Sequence, residues 1–131
     1  MVPLQRAALR HAPSPLRLIN RHTAAILADR LELALSPFER MRGLLGRDHL
    51  AENQALLLMP CRSVHTWFMR FPIDIAFVDK DGLIVAVVRQ LKPWSATPYI
   101  SRARATVELA AGRLRATATE VGHTLEFAAV R

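Results

Sequence analysis

Short runs of apolar residues recur along the chain with the spacing of β-strands. Leu31, Leu33 and Leu35 alternate with charged or small residues, which is the period of a strand that buries one face. Similar apolar segments cover residues 16–19, 26–28, 55–59, 64–69, 73–78, 83–88, 105–109 and 124–129. The pattern predicts a mainly β protein, built as a compact β-sandwich or squat barrel of about seven or eight short strands.

The turn signals divide these segments. Residues 79–82 read Asp-Lys-Asp-Gly, and the Asp-Gly step favours a tight hairpin between the strands on either side. Residues 90–98 contain two prolines, so we expect a loop there. The stretch 110–118, between the last two predicted strands, is the place for a second short helix.

The first half of the chain contains one clear signal for the start of a helix. Ser36 is a good N-cap, Pro37 suits the first helical position, and Glu39 can complete a capping box. The spacing predicts a helix over residues 37–46 whose apolar face packs on the sheet. Arg42 borders that face. The face itself consists of Phe38, Met41 and Leu45.

Length and composition fit a single domain. The chain has 131 residues, of which 51% are hydrophobic, so it can build a core without disulfides. We expect residues 1–15 to be a flexible lead-in and residues 16–131 to form one β-rich domain. Cys61 is the only cysteine, which excludes a disulfide framework and suits a reducing, cytoplasmic setting. The aliphatic runs at 55–59 and 83–88 are far shorter than the roughly 20 residues of a membrane span.

The formal net charge is +7, and arginine supplies most of it. Lys80 and Lys92 are the only lysines among 18 basic residues, and the arginines are scattered rather than gathered into a run. A basic surface favours nucleic-acid binding through counterion release. Here no aromatic residues interleave with the arginines, so a solvated, basic surface is the favoured interpretation.

Five segments of the chain resemble the family called domain of unknown function 192. They are residues 42–47 (RGLLGR), 61–74 (CRSVHTWFMRFPID), 77–82 (FVDKDG), 91–94 (LKPW) and 107–112 (VELAAG). The resemblance runs from about residue 16 to residue 127. It implies a small, mostly β, sandwich-like domain to which no biochemical activity is assigned. Many relatives carry Trp-Met-Lys-Asn-Thr at residues 68–72, so Cys61 and His65 predict a separate branch with the motif PCxSVHTxFMRFPID.

Asp74 places a carboxylate on a strand face that is otherwise apolar. A buried carboxylate needs a cation or several hydrogen-bond donors. We expect Arg42, Arg70 or His65 to supply the charge, in an ion pair that fixes the helix on the sheet. In the alternative, Asp74 anchors a ligand or acts as a general base.

If the protein is an enzyme, Cys61, His65 and Asp74 are its candidate catalytic residues. A thiolate–imidazole pair must be within hydrogen-bond reach, whereas four residues of a straight strand span roughly 13 Å. We therefore favour a structural thiol. A zinc site would also need His49 or Asp74, and the close ligand pairs typical of structural zinc are missing, so neither a metal nor a cofactor is predicted.

Two further residues are candidate ligand contacts. Trp94, in the predicted loop, is either a stacking platform or a cap on the core. Glu108 faces away from its apolar neighbours Val107 and Leu109. Glu108 and Asp74 together would offer the paired carboxylates of a glycosidase, but a chain of this size has little room for the cleft.

These residues favour a non-catalytic binding or accessory module for a small-molecule or protein ligand. Its pocket is expected near Arg42, His65, Asp74 and Trp94, with Glu108 as a further ligand-binding residue. The alternative is a small metal-dependent or Cys/His hydrolase. A third hypothesis, nucleic-acid binding through the arginines, is disfavoured by their scattered placement.

Overall fold

The protein is a single curled β-sheet with three short helices. The structure is a computed structural model and describes residues 1–129. The strands are β1 (Leu16–Asn20), β2 (Ile26–Ala34), β3 (Gln54–Leu58), β4 (Ile73–Val78), β5 (Ile84–Leu91), β6 (Ala105–Ala110) and β7 (Leu125–Ala129). The helices are α1 (Arg6–Arg10), α2 (Pro37–Arg42) and α3 (Arg113–Ala116). The predicted mainly β fold is confirmed.

The seven strands follow the order β5-β4-β6-β3-β2-β1-β7. Neighbours pair antiparallel, except for β2 and β3, which run parallel. The sheet curls so far that its two edges touch beside the β4–β5 turn. There Leu83 bridges Thr124, and the amide of Leu125 donates to the Gly82 carbonyl at 2.9 Å. The result is a half-barrel closed at one end.

Each face of the sheet has its own hydrophobic core, because alternate residues of a strand point to opposite sides. On β6, Val107 and Leu109 join the larger core, together with Phe127 from β7. The opposite face carries a second core around Ile75 and Phe77 of β4. Loops cover this second face with the buried side chains Leu44, Leu50, Val64 and Met69.

The first fifteen residues pack on the sheet, which differs from the flexible lead-in that the sequence predicts. Leu4 and Leu9, the latter on α1, are buried in the larger core. The amide of Val2 also donates to the carbonyl of Phe127 at 2.6 Å. Apolar residues at this end of the chain therefore fill the core instead of trailing in solvent.

Helix α2 begins as predicted and ends early. Ser36 and Glu39 form the complete capping box. The helix stops at Arg42, because Gly43 takes a φ of 48°. The expectation of a buried apolar face was wrong: Phe38 is 67% exposed and Met41 71% exposed. Six residues are too few to lay a stripe on the sheet, and the residue after the turn, Leu44, is buried instead.

The β-forming residues 64–69 are irregular instead of a strand. Phe68 has a φ of 66°, in the left-handed region that no strand uses. His65 makes an isolated bridge to Ala96. The buried Thr66 donates its hydroxyl to the carbonyl of Lys92 at 2.6 Å, which ties this segment to the 92–95 loop. The aromatic composition reflects packing at a rim, not strand pairing.

Other elements agree with the pattern, with shifted ends. The hairpin around residues 79–82 joins β4 to β5, and the second helix forms at Arg113–Ala116, within the stretch expected for it. The apolar segments at 26–28 and 31–35 merge into the single strand β2. Within residues 1–129, each helix is too short to cross a bilayer.

Candidate functional site

A cavity of about 530 Å³ lies on the second face of the sheet, beneath α2. Its outer wall is α2 and the turn that follows, from Pro37 to Leu45. Its other walls come from residues 58–69 and from Glu108 of β6. The volume falls in the range of sites for small organic ligands. Helix α2 contributes no buried residue, so it closes the cavity only on the solvent side.

Glu108 is the buried acid of this cavity. It lies in the middle of the sheet, opposite Leu56 of β3 and Ile75 of β4, and only 4% of it is exposed. Burial raises its pKa to about 7, and the positive charge of Arg47 offsets only part of that effect. Within residues 1–129, no hydrogen bond stabilises its carboxylate. A buried carboxyl without a donor is costly, so this group is poised to accept one.

Cys61 lines the same cavity and is half-buried. Burial raises the pKa of its thiol, and the charge of Glu108 raises it further. The thiol donates to the carbonyl of Ser63 at 3.2 Å, and the Thr106 hydroxyl donates to the Cys61 carbonyl at 3.2 Å. Hydrogen bonding by Thr106 and Ser63 lowers the thiol pKa, but burial has the larger effect, so the net shift is upward and the thiol is not activated.

His65 lines the cavity four residues further along but does not pair with the thiol. Its ring stacks on Trp67 with centroids 4.5 Å apart. Cys61 and His65 therefore line one cavity without forming the hydrogen-bonded nucleophile–base pair that covalent catalysis requires.

Two arginines of α2 give the outer wall its positive charge. Arg40 is half-buried, and its Nη1 donates to the Pro60 carbonyl at 3.2 Å. Arg42 is exposed and also lines the cavity. The cavity thus has an acid on its sheet side and guanidinium groups on its solvent side.

A pair of exposed aromatic side chains stands at the rim. Phe68 lines the cavity and packs against Trp94, with ring centroids 4.7 Å apart and planes at 58°. Trp94 does not line the cavity and adjoins it through its contact with Phe68. Both residues have left-handed backbone, with φ of 66° and 61°. The amide of Trp94 donates to the Thr66 carbonyl at 3.0 Å, which holds the loop in this conformation.

Asp74 lies outside the cavity, and the expected ion pair was wrong. The residue is fully buried, but its two carboxylate oxygens accept backbone amides. Gln90 donates to one at 2.8 Å and Leu114 to the other at 2.9 Å. Arg70 instead pairs with Asp48 at 2.6 Å on the surface. Amide donors from the end of β5 and the start of α3 replace the cation, so Asp74 connects three elements of the fold.

The model of the DUF192 family, described as "Uncharacterized ACR", matches residues 18–127. The chain belongs to this family. No curated protein matches it. The family match covers every residue that lines the cavity, so the cavity is part of the DUF192 domain itself.

Two solved structures are similar to this DUF192 chain. One, a protein of unknown function from Novosphingobium aromaticivorans, has 20% identity and a TM-score of 0.74, with 86% of this chain and 83% of that one covered. The other, from Sinorhizobium meliloti, is described as a "putative transcription regulator". It has 29% identity and a TM-score of 0.69, over 86% of this chain and 91% of its own. Both have the same fold.

Sequence reasoning missed Arg40 as a residue of the candidate site and undervalued Glu108. Arg40 lies two residues before Arg42, and only the position of α2 over the sheet shows that both line the cavity. Glu108 did carry a signal, because it interrupts the apolar alternation of β6, and its burial now makes it the central acid of the site.

The described part of this DUF192 domain offers no ready-made metal site. Within residues 1–129, no group of three or more His, Cys, Asp or Glu side chains is arranged to hold an ion. His49 is exposed and does not line the cavity, and Asp74 is occupied by amide donors. Of the residues considered for zinc, Cys61 and His65 share the cavity, whereas His49 and Asp74 lie outside it.

Proposed function

We propose that the chain is a binding module that accepts a small molecule into the cavity between α2 and the sheet. One observation carries the proposal: Glu108, 4% exposed and without a hydrogen-bond donor, faces a cavity of about 530 Å³. Most buried polar groups in proteins have a hydrogen-bond partner, so a carboxyl that is almost wholly buried without a donor calls for an explanation. A ligand that supplies the missing donor gives it a function.

The sequence-predicted contact residues fit this site in part. Arg42 and His65 line the cavity, and Trp94 backs Phe68 at its rim. Asp74 does not line the cavity; its carboxylate stabilises the fold by accepting two backbone amides. We propose Arg42, His65 and Glu108 as direct ligand contacts.

The geometry favours binding over catalysis. The raised pKa of Cys61 keeps its thiol protonated at neutral pH, and His65 is stacked on Trp67 rather than hydrogen-bonded to the sulfur. Covalent catalysis by cysteine needs the opposite arrangement, a lowered thiol pKa and an adjacent base. Glu108 alone lacks a nucleophile or a second acid to work with.

The lone cysteine provides the test. Because Cys61 lines the cavity and is the only cysteine, its reaction with N-ethylmaleimide reports cavity occupancy. A metabolite library is screened for compounds that slow this reaction and raise the melting temperature. At about ten times its Kd, a ligand should slow labelling about tenfold, since only free protein reacts.

A matched control moves the thiol away from the cavity. In the double variant Cys61→Ser, Ser101→Cys, the thiol lies on an exposed loop. Compounds that protect Cys61 by occupying the cavity should leave labelling at position 101 unchanged. If no compound of a broad library protects Cys61 or raises the melting temperature, the proposal fails.

A further inference from the structure

The inner end of the cavity holds a carboxyl group, that of Glu108, for which the described part of the fold provides no hydrogen-bond donor. Glu108 is buried among apolar residues of three strands, and Arg47 is the one basic residue with a resolved effect on it. That arginine is already held by both carboxylate oxygens of Glu32, at 2.8 and 3.0 Å. The missing hydrogen-bond donor to the Glu108 carboxylate must therefore come from a ligand. A cationic group is the strongest such donor.

The outer end carries the opposite charge. Within residues 1–129, the ion pairs are formed by Arg21, Arg47 and Arg70, and not by the two arginines of α2. Arg40 and Arg42 line the cavity from its solvent side. Guanidinium groups in this position attract anions and repel a simple cation that approaches the acid within.

Between the two ends the walls are largely apolar. The buried wall residues are Leu44, Leu58, Val64 and Met69. The exposed side chains of Met41 and Phe68 continue this surface to the rim. An apolar ligand body is stabilised by burial against these side chains.

We infer that the cavity selects an amphoteric small molecule, with a protonated amine that pairs with Glu108, an apolar body, and an anionic group that pairs with Arg40 and Arg42. This inference rests on the proposed binding function and names the ligand class. A simple amine lacks the anion that the outer arginines favour. A simple acid brings a second negative group toward Glu108 and leaves that carboxyl without a donor.

Four matched probes separate the two charges. They are para-(aminomethyl)benzoate, its N-acetylated form, benzylamine and benzoate, which share one rigid aromatic body. Each is titrated against N-ethylmaleimide labelling of Cys61 in the full chain. We expect the amphoteric probe to protect the thiol at a concentration at least about tenfold below that of the other three, which corresponds to one charge-assisted contact.

Variants assign each end of the probe. Glu108→Gln, which keeps the shape of the side chain, should erase the preference for the free amine over the acetylated form. Arg40→Met with Arg42→Met should erase the preference for the amphoteric probe over benzylamine. Should that double variant not fold, the exposed Arg42→Met alone should reduce the same preference by at least about threefold. Each variant is compared with its own unprotected labelling rate, because Glu108 affects the thiol pKa.

Two exposed residues that do not line the cavity serve as controls. Glu52→Gln changes the net charge by the same amount as Glu108→Gln, and Arg102→Met by the same amount as Arg42→Met alone. Both controls should leave all four titrations unchanged. Equal protection by the acetylated probe or by benzylamine would overturn the inference. So would protection by library compounds with none from these four probes, an outcome that leaves the binding function standing. If library and probes all fail, the binding function falls as well.

Discussion

Two buried acidic residues, Asp74 and Glu108, lie on neighbouring strands and have opposite surroundings. Asp74 stands opposite Leu109, and Glu108 stands opposite Ile75, in the same β4–β6 ladder. Asp74 accepts two backbone amides, whereas Glu108 accepts none from residues 1–129. Burial alone therefore does not mark a functional acid. What distinguishes Glu108 is a missing donor beside an open volume.

The first prediction concerns the pH dependence of stability through Glu108. Burial raises its pKa in the folded state to about 7, from the usual value of 4.5. Between these values the folded protein binds more protons than the unfolded chain, so its stability falls as pH rises through this window. Glu108→Gln should lose this slope and become relatively more stable, by roughly 3 kcal/mol, between pH 4 and pH 8. Urea unfolding of both proteins across this range measures the difference.

Glu52→Gln is the matched control, because Glu52 is exposed and lies away from the cavity. Its unfolding free energy should follow that of the parent protein across the whole pH range. A constant offset between Glu108→Gln and the parent protein at every pH would show that Glu108 has an ordinary pKa. The assignment of Glu108 as a buried acid with a raised pKa would then be wrong.

Among the helices, strands and turns, sequence signals predicted correctly the features that depend on adjacent residues. They failed for the features that depend on packing between distant segments. The Asp-Gly step at residues 79–82 and the capping box of Ser36 acted as expected, because turns and caps are satisfied by adjacent residues. The apolar spacing of α2 led to the wrong prediction of a buried face, since a six-residue helix need not bury its apolar side chains. Residues 64–69 have strand composition, but a left-handed Phe68 ends any pairing there.

Asp74 gives the second prediction, since its carboxylate joins β4 to the end of β5 and the start of α3. Asp74→Ala would remove the acceptor of the Gln90 and Leu114 amides, of which the Leu114 bond is buried, and should cost about 2–5 kcal/mol. Asp79 also accepts two amides, those of Asp81 and Leu83, but it is half-exposed. Water can replace it, so Asp79→Ala should cost about 1 kcal/mol. Urea denaturation measures the free energy of unfolding of both variants. An equal loss in the two would contradict the proposal that Asp74 links β4 to β5 and α3.

The candidate site belongs to the scale of the whole molecule, which explains why the sequence predicted it only in part. Glu108 and the arginines of α2 line one cavity because β3 pairs with β2 on one side and with β6 on the other. The parallel β2–β3 pairing and the place of β6 in the sheet are long-range features without a local signal. Cys61, His65 and Arg42 were found as motif residues. That Glu108 joins them, and that Asp74 does not, follows from strand order.

The two edges of the half-barrel approach each other most closely at Gly82. Gly82, in the β4–β5 turn, has a φ of 83°, and a Cβ placed there would lie 2.6 Å from the carbonyl oxygen of Leu125 on β7. Gly122 has a similar φ of 94°, with open space around it. Alanine at either position suffers the left-handed strain of about 1 kcal/mol. Only at Gly82 must the backbone of β7 also move.

The third prediction follows from this contrast. Gly82→Ala should lower the free energy of unfolding by about 3 kcal/mol or more, and Gly122→Ala by about 1 kcal/mol. Hydrogen exchange locates the damage: the Leu125 amide, which donates to the Gly82 carbonyl, should lose more protection than amides of β3 in the sheet centre. Equal destabilisation by the two substitutions, with Leu125 protection intact, would mean that the sheet edges separate at little cost. Contact between the edges would then contribute little to holding the sheet in its curled form.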